Sequence, residues 1–315
     1  MKITALFVTS LCWIGSASAQ QLYYTNGSGL SSQIGRAGID GSNQTTLISS
    51  GLNGADGIRL DVAGGKLYWA EQGGNIQRAN IDGTNVELLV AAGGNPHAVS
   101  LDLIAGKVYW TEVAGNRIRR ANLDGSNIEL VTNLNSPDGI VVDPVGAKVY
   151  WSRGNVVRRA NLDGSSNELL YTSGSPHGLA LDTAAGKVYW TNFGNGRVQR
   201  GDMDGSGPLE DLVTGLATPL DIALDLIPGK MYWTELSGGG SLKRANLDGT
   251  NIETVLGAGL SGPFGIALSP TTLPTTVPAL PTLGLVALST ILMLAGAAMV
   301  HRRTRSTAGS AQPLR

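Results

Sequence analysis

Apolar and polar residues alternate along most of this chain in short runs closed by Gly, Asp or Asn, and four such runs make a unit that returns. Residues 96–131 show one unit. Pro96-His97-Ala98-Val99-Ser100-Leu101-Asp102 leads to Gly106-Lys107-Val108-Tyr109-Trp110-Thr111. Then come Ile118-Arg119-Arg120-Ala121-Asn122-Leu123-Asp124-Gly125 and Ile128-Glu129-Leu130-Val131. Runs of this composition between turn formers predict strands, here called A to D in chain order. The spacers at 61–66, 102–107, 143–148, 182–187 and 225–230 have the length and glycine of a hairpin turn from A to B. The Asn-Leu-Asp-Gly stretches at Asn122, Asn161 and Asn246 predict the next tight turn.

Each unit carries an aromatic pair in strand B: Tyr23-Tyr24, Tyr68-Trp69, Tyr109-Trp110, Tyr150-Trp151, Tyr189-Trp190 and Tyr232-Trp233. The second members are 45, 41, 41, 39 and 43 residues apart. A period of about 40 to 45 residues built from short strands is the signature of β-propeller blades, so six copies predict six four-stranded blades. The first pair has no A strand before it, whereas a spare one, Pro263-Phe264-Gly265-Ile266-Ala267-Leu268, follows the sixth unit. The two chain ends are therefore expected to complete blade 1 together, leaving no long open sheet edge.

These residues resemble the YWTD, or class B, repeats of the low-density-lipoprotein receptor over roughly residues 22–268. That resemblance implies an all-β, six-bladed propeller with protein or glycan ligands on its loop face. The tetrapeptides read Tyr-Trp-Ala-Glu at Tyr68, Tyr-Trp-Thr-Glu at Tyr109 and Tyr232, Tyr-Trp-Ser-Arg at Tyr150 and Tyr-Trp-Thr-Asn at Tyr189. No blade carries the Asp of the family's name. The second aromatic of each pair is expected to pack between blades, where burial is worth roughly 1.5–3 kcal/mol. Arg36, Arg78, Arg120, Arg159, Arg200 and Arg244 recur once per blade, which speaks for architecture. Pairing with the A-strand aspartates Asp61, Asp102, Asp143, Asp182 and Asp225 is the expected form.

The residue after the A-strand proline, or its equivalent, varies from blade to blade: Asp56, His97, Asp138, His177, Leu220 and Phe264. In a propeller the A strand is innermost, which places these six at one mouth of the central channel as ligand-binding candidates. Imidazole and carboxylate suit a divalent ion, so Asp56, His97, Asp138 and His177 are also candidate metal ligands. His97 and His177 are candidate general bases or pH-sensitive groups. Channel ligands from inner strands also occur in NHL-type lyases, which this arrangement resembles in architecture only. The B-to-C loops, residues 26–33, 71–75, 112–117, 153–155, 192–197 and 235–240, share that face and vary in length, as recognition loops on a rigid scaffold do.

Charge narrows the partners. Lys and Arg number 23 against 24 Asp and Glu, and five of the basic residues, Lys2, Arg302, Arg303, Arg305 and Arg315, lie in the flanks. The repeat region is left acidic, which argues against a nucleic-acid binder. The N-terminus reads as a secretory signal, residues 1–19: Lys2, an apolar stretch over 3–14, then Ala17-Ser18-Ala19 with cleavage between Ala19 and Gln20. The single cysteine, Cys12, falls inside it, so the exported chain has neither disulfide nor thiol metal site. Receptor relatives carry cysteine-rich modules beside the propeller. Their absence and the short signal fit a bacterial exported protein.

After the propeller (20–269) comes a Pro/Thr-rich linker (270–281), an apolar segment (282–301) and a basic tail (302–315). The apolar run is just long enough to span a bilayer as a single transmembrane helix, and the arginines behind it orient it N-out, C-in. The tail resembles bacterial PEP-CTERM and IPTL-CTERM sorting signals through Pro281-Thr282-Leu283, the span and Arg302-Arg303. That resemblance implies the inner membrane and a sorting protease as partners. The expectation is a monomeric, exported, non-enzymatic protein- or glycan-binding module at the periplasmic face of the membrane or the cell surface. No cofactor is expected of it. The alternative is a metal-dependent lyase or hydrolase, with a divalent ion in the channel and His97 or His177 as base.

Overall fold

The computed structural model describes residues 20–257 and 259–270. The expectations for the signal peptide and Ala19, for the chain beyond Pro270, and for Pro281, Thr282, Leu283, Arg302 and Arg303 concern residues outside these. Among the described residues no helix is long and apolar enough to cross a membrane.

The described chain folds into six four-stranded antiparallel sheets. Blade 1 joins the chain ends: Pro263–Leu268 pairs with Gln21–Asn26, which pairs with Gln33–Gly38 and then Thr45–Ile48. Blades 2 to 6 each use four consecutive strands with A innermost; in blade 3 these are Pro96–Asp102, Lys107–Glu112, Arg117–Asn122 and Glu129–Asn133. The A strands ring the channel. The face where they begin is called upper, the face where they end lower.

Neighbouring residues of a strand point to opposite faces of its sheet, so the two aromatics of each pair serve different interfaces. Trp110 packs on blade 2 with Ile76 and Val90, whereas Tyr109 packs on blade 4 with Ile140 and Trp151. Six such apolar clusters occupy the six interfaces. All five tryptophans of the pairs are fully buried.

The fourth residue of the tetrapeptide now has a role. Glu71, Glu112 and Glu235 accept the indole N–H of Trp69, Trp110 and Trp233 at 3.2, 2.8 and 3.0 Å. In blade 5, where Asn192 stands there, Ser173 Oγ and Gln199 Oε1 accept from Trp190 instead. Blade 4 has Arg153, and the buried Trp151 Nε1 has no partner among the described residues.

The C-strand arginines correct an expectation. Arg78, Arg120, Arg159, Arg200 and Arg244 pair with Glu87, Glu129, Glu168, Glu210 and Glu253 on their own D strands, not with the A-strand aspartates. The register places each Arg directly opposite its Glu, as Arg120 lies opposite Glu129. Each also donates to a carbonyl of the next blade, for instance Arg120 to Leu162 at 3.0 Å, which ties neighbours together. The aspartates lie at the end of strand A, where hairpin N–H groups lack a strand partner. Asp61, Asp102, Asp143 and Asp182 accept from those groups at 2.7–3.1 Å. At the next turn, Gly125 (φ 85°) leaves room for Leu89 of the preceding blade: a Cβ there would lie 2.3 Å from the Leu89 oxygen. That turn therefore requires glycine.

Candidate functional site

The third residue of the tetrapeptide sets the upper mouth. Its hydroxyl accepts an N–H from its own A strand and donates to a carbonyl of the next A strand. Thr111 accepts from Ala98 and donates to Asp138, and Ser152 accepts from Gly139 and donates to His177. Thr191, Thr234 and Thr25 likewise donate to the carbonyls of Leu220, Phe264 and Asp56. Five hydroxyls thus clamp the backbone of five of the six mouth residues. Blade 2 has Ala70 at this position, so His97 lacks the clamp.

The side chains on this frame meet as a chain across four adjacent blades. Gln72 Nε2 donates to Asp56 Oδ2 at 3.1 Å, and that oxygen lies 3.7 Å from His97 Nδ1. His97 Nδ1 is 3.2 Å from Asp138 Oδ1, and His177 Nε2 is 3.3 Å from Asp138 Oδ2. Asn95 Nδ2 sits 3.2 Å from His97 Nε2 on the other side of the ring. Donor atoms of His97, Asp138 and His177 all lie within 4.8 Å of one another. Asp56 stands just outside that group, behind His97.

Their electrostatics diverge with their surroundings. Burial disfavours charge on His97, but the hydrogen bond to Asp138 and the carboxylates of Asp56 and Asp138 outweigh it and raise its pKa above the ordinary histidine value. Burial also opposes charge on Asp138, where His177 and His97 prevail and lower the pKa. For Asp56 burial dominates and the pKa rises.

His97, Asp138 and His177 form one wall of a cavity of about 440 Å³, with Asp56 in the small space beneath it. The facing wall is apolar: Leu220 and Phe264 from the A strands, with Val113, Phe193 and Leu236 from the B-to-C loops. Among the described residues no Lys or Arg lines it. Five of the six candidate positions therefore share one cavity with the variable loops, and Asp56 adjoins it behind His97.

Two residues that the sequence reading missed close the channel below. Arg59 Nη1 bonds Asp221 Oδ2 at 3.0 Å across the inner strand of blade 1, whose Ile266 N–H donates to the same carboxylate oxygen at 3.0 Å. The space left beside this pair and the mouth residues is only about 10 Å³. Their signal was the break in the repeat. Asp221 stands where the other A strands have Gly or Ala, and Arg59 where they have Ser, Val or Ala. Below lies a second cavity of about 340 Å³, lined by Leu60, Leu101, Val142, Leu181, Leu224 and Leu268 among others. The turns on this lower side expose Ile104, Val145 and Ile227.

Fold and mouth together define a six-bladed β-propeller, and comparison with known proteins agrees. The model of the low-density lipoprotein receptor repeat class B matches two stretches of the chain, residues 106–144 and 229–268. Among solved structures, the chain is similar to one titled crystal structure of the nidogen/laminin complex: 21% identity, TM-score 0.73, covering 81% of this chain and 100% of that one. It is also similar to TolB from Acinetobacter baumannii, at 18% identity and TM-score 0.65, covering 81% of this chain and 68% of the other. A gluconolactonase from Xanthomonas campestris matches at 17% identity and TM-score 0.58, over 67% and 78% of the two chains. At these identities the likeness concerns the fold.

Proposed function

We propose that this protein is an exported propeller that binds a protein partner at its upper face, held near a membrane by the segment beyond Pro270. One observation carries the reading: the 440 Å³ mouth opposes an apolar wall to a charged one, on a backbone clamped by five hydroxyls. A rigid concave site with few, placed polar groups suits recognition, because little ordering is lost on binding. The solved structure whose title names a nidogen/laminin complex supports a protein as the partner.

Photo-crosslinking in the native cell tests this, with the reactive residue placed at Phe193 or Leu236 above and at Ile104 below. Discrete protein adducts are expected from the upper positions only. They should be lost when Leu220 and Phe264 are both replaced by Asp. Adducts with glycan alone, none at all, or equal yield from Ile104 would overturn the reading.

A further inference from the structure

We propose that His97, Asp138 and His177 bind a divalent transition-metal ion of the Zn²⁺ class at the upper mouth. The proposal goes beyond partner binding and does not depend on who the partner is.

The donor set is two imidazoles and one carboxylate, the combination typical of Zn²⁺ and its neighbours rather than of Mg²⁺ or Ca²⁺. The spacing fits as well. Four donors placed tetrahedrally at metal distances of about 2.0–2.1 Å are separated from one another by roughly 3.4 Å. Asp138 lies between the imidazoles, with Oδ1 3.2 Å from His97 Nδ1 and Oδ2 3.3 Å from His177 Nε2, and one donor atom from each of the three residues lies within 4.8 Å of the others. An ion therefore needs the three side chains to turn toward one point.

The frame holds the donors in place. Asp138 and His177 have their carbonyls fixed by Thr111 and Ser152, both at 2.6 Å. His97 lacks that clamp but is held through its ring by Asn95 on one side and by Asp56 and Asp138 on the other. For Nδ1 to ligate an ion, Nε2 must carry the ring proton and donate it, so Asn95 serves as the outer partner of His97 with its side-chain amide turned to present Oδ1 as the acceptor. The charge also suits a cation: Asp138 lines the upper cavity with Asp56 behind His97, no Lys or Arg among the described residues lines that cavity, and Arg59, which borders the small space beneath, is paired with Asp221.

Three protein donors leave a fourth position facing the cavity and its apolar wall. Open three-ligand sites of this form take up water or a ligand oxygen or nitrogen. The ion would then anchor a polar group whose apolar neighbour rests on Phe193, Leu220 and Phe264. It would equally supply the Lewis acid that a lyase or hydrolase at this mouth requires.

The test is calorimetric titration of the untagged full chain, stripped by chelator and held in detergent, with ZnCl₂ and in parallel with CoCl₂. One equivalent of Zn²⁺ is expected, with visible Co²⁺ absorption of low-symmetry coordination. His97→Ala/His177→Ala and Asp138→Ala should abolish both. Asp56→Asn should weaken binding about 10-fold, as loss of an outer partner does. His301→Ala, which removes the chain's third histidine, should change nothing. Circular dichroism and melting temperature confirm that the variants are folded, and His177→Gln is a gentler replacement if the double variant is not. No saturable binding to wild type, or unchanged binding to folded His97→Ala/His177→Ala, would overturn the proposal.

Discussion

The same six inner strands build two unlike mouths. Above, the second residue of each A strand differs between blades, and four of the six are ionisable. Below, the sixth residue is Leu, Leu, Val, Leu, Leu and Leu in blades 2 to 6 and 1, and the cavity wall is aliphatic apart from Arg59 and Ser100. Architecture needs the same contact six times and so repeats its residues. A site needs several chemistries at one point, and on a ring it obtains them by letting one position vary. Arg59 and Asp221 lie between the two regions, at depths where every other blade is small or uncharged.

Breaking that partition has the largest expected effect. Asp221 accepts from Arg59, from Ile266 N–H and from Ile222 N–H. Asp221→Ala takes the counter-charge from a mostly buried guanidinium, which keeps, among the described residues, only its bonds to the Ile58 and Ile266 carbonyls, and an acceptor from two backbone donors, and should cost on the order of 3 kcal/mol in denaturant unfolding. Arg59→Met leaves both N–H bonds to Asp221 intact and should cost less. If Asp221→Ala lost under about 1 kcal/mol, the pair would behave like a surface ion pair and would not be a structural closure.

What was legible follows the same division. Blade number, strand order and ring closure could be read because each rests on a pattern repeated in register, and the six mouth residues because they share an offset from the A-strand proline. The arginine pairing was misread. Both Asp and Glu recur in blades 2 to 6, and only the C-to-D register puts Glu129 opposite Arg120 while hairpin N–H groups take up Asp102. The Arg59–Asp221 pair joins blades 2 and 6 past blade 1, a contact set by the channel's width, which no local spacing encodes. The exposed Ile104, Val145 and Ile227 likewise gained meaning only when their turns fell on one face.

A smaller effect, of opposite sign, concerns blade 4. Arg153→Glu would restore the fourth residue found in the tetrapeptides of blades 2, 3 and 6, giving Trp151 Nε1 an acceptor and placing a carboxylate beside Arg158, as Glu112 lies beside Arg119. A gain of about 1 kcal/mol is expected, the net value of one buried hydrogen bond. No gain would mean that blade 4's indole is already satisfied by solvent, and that its departure from the repeat carries no cost.

The smallest effect separates the acid response of the two regions. Toward the lower side, hydrogen bonds from Arg78, Arg120, Arg200 and Arg244 lower the pKa values of Glu87, Glu129, Glu210 and Glu253. A lowered carboxyl pKa stabilises the fold above the ordinary glutamate value of about 4.3, and that contribution is lost as pH falls through the folded value. At the upper mouth the signs are mixed, because Asp138 is lowered and Asp56 raised. Folding therefore favours the protonated form of Asp56, which offsets part of what Asp138 loses in acid. Glu129→Gln/Glu253→Gln should make the acid limb of a stability-versus-pH curve shallower, and high salt should shrink the same limb in wild type, since exposed pairs are screened. Asp56→Asn should steepen it slightly by removing the offset. Identical limbs in all three proteins would show that the repeated pairs contribute nothing net, leaving the aliphatic packing as what holds the lower half together.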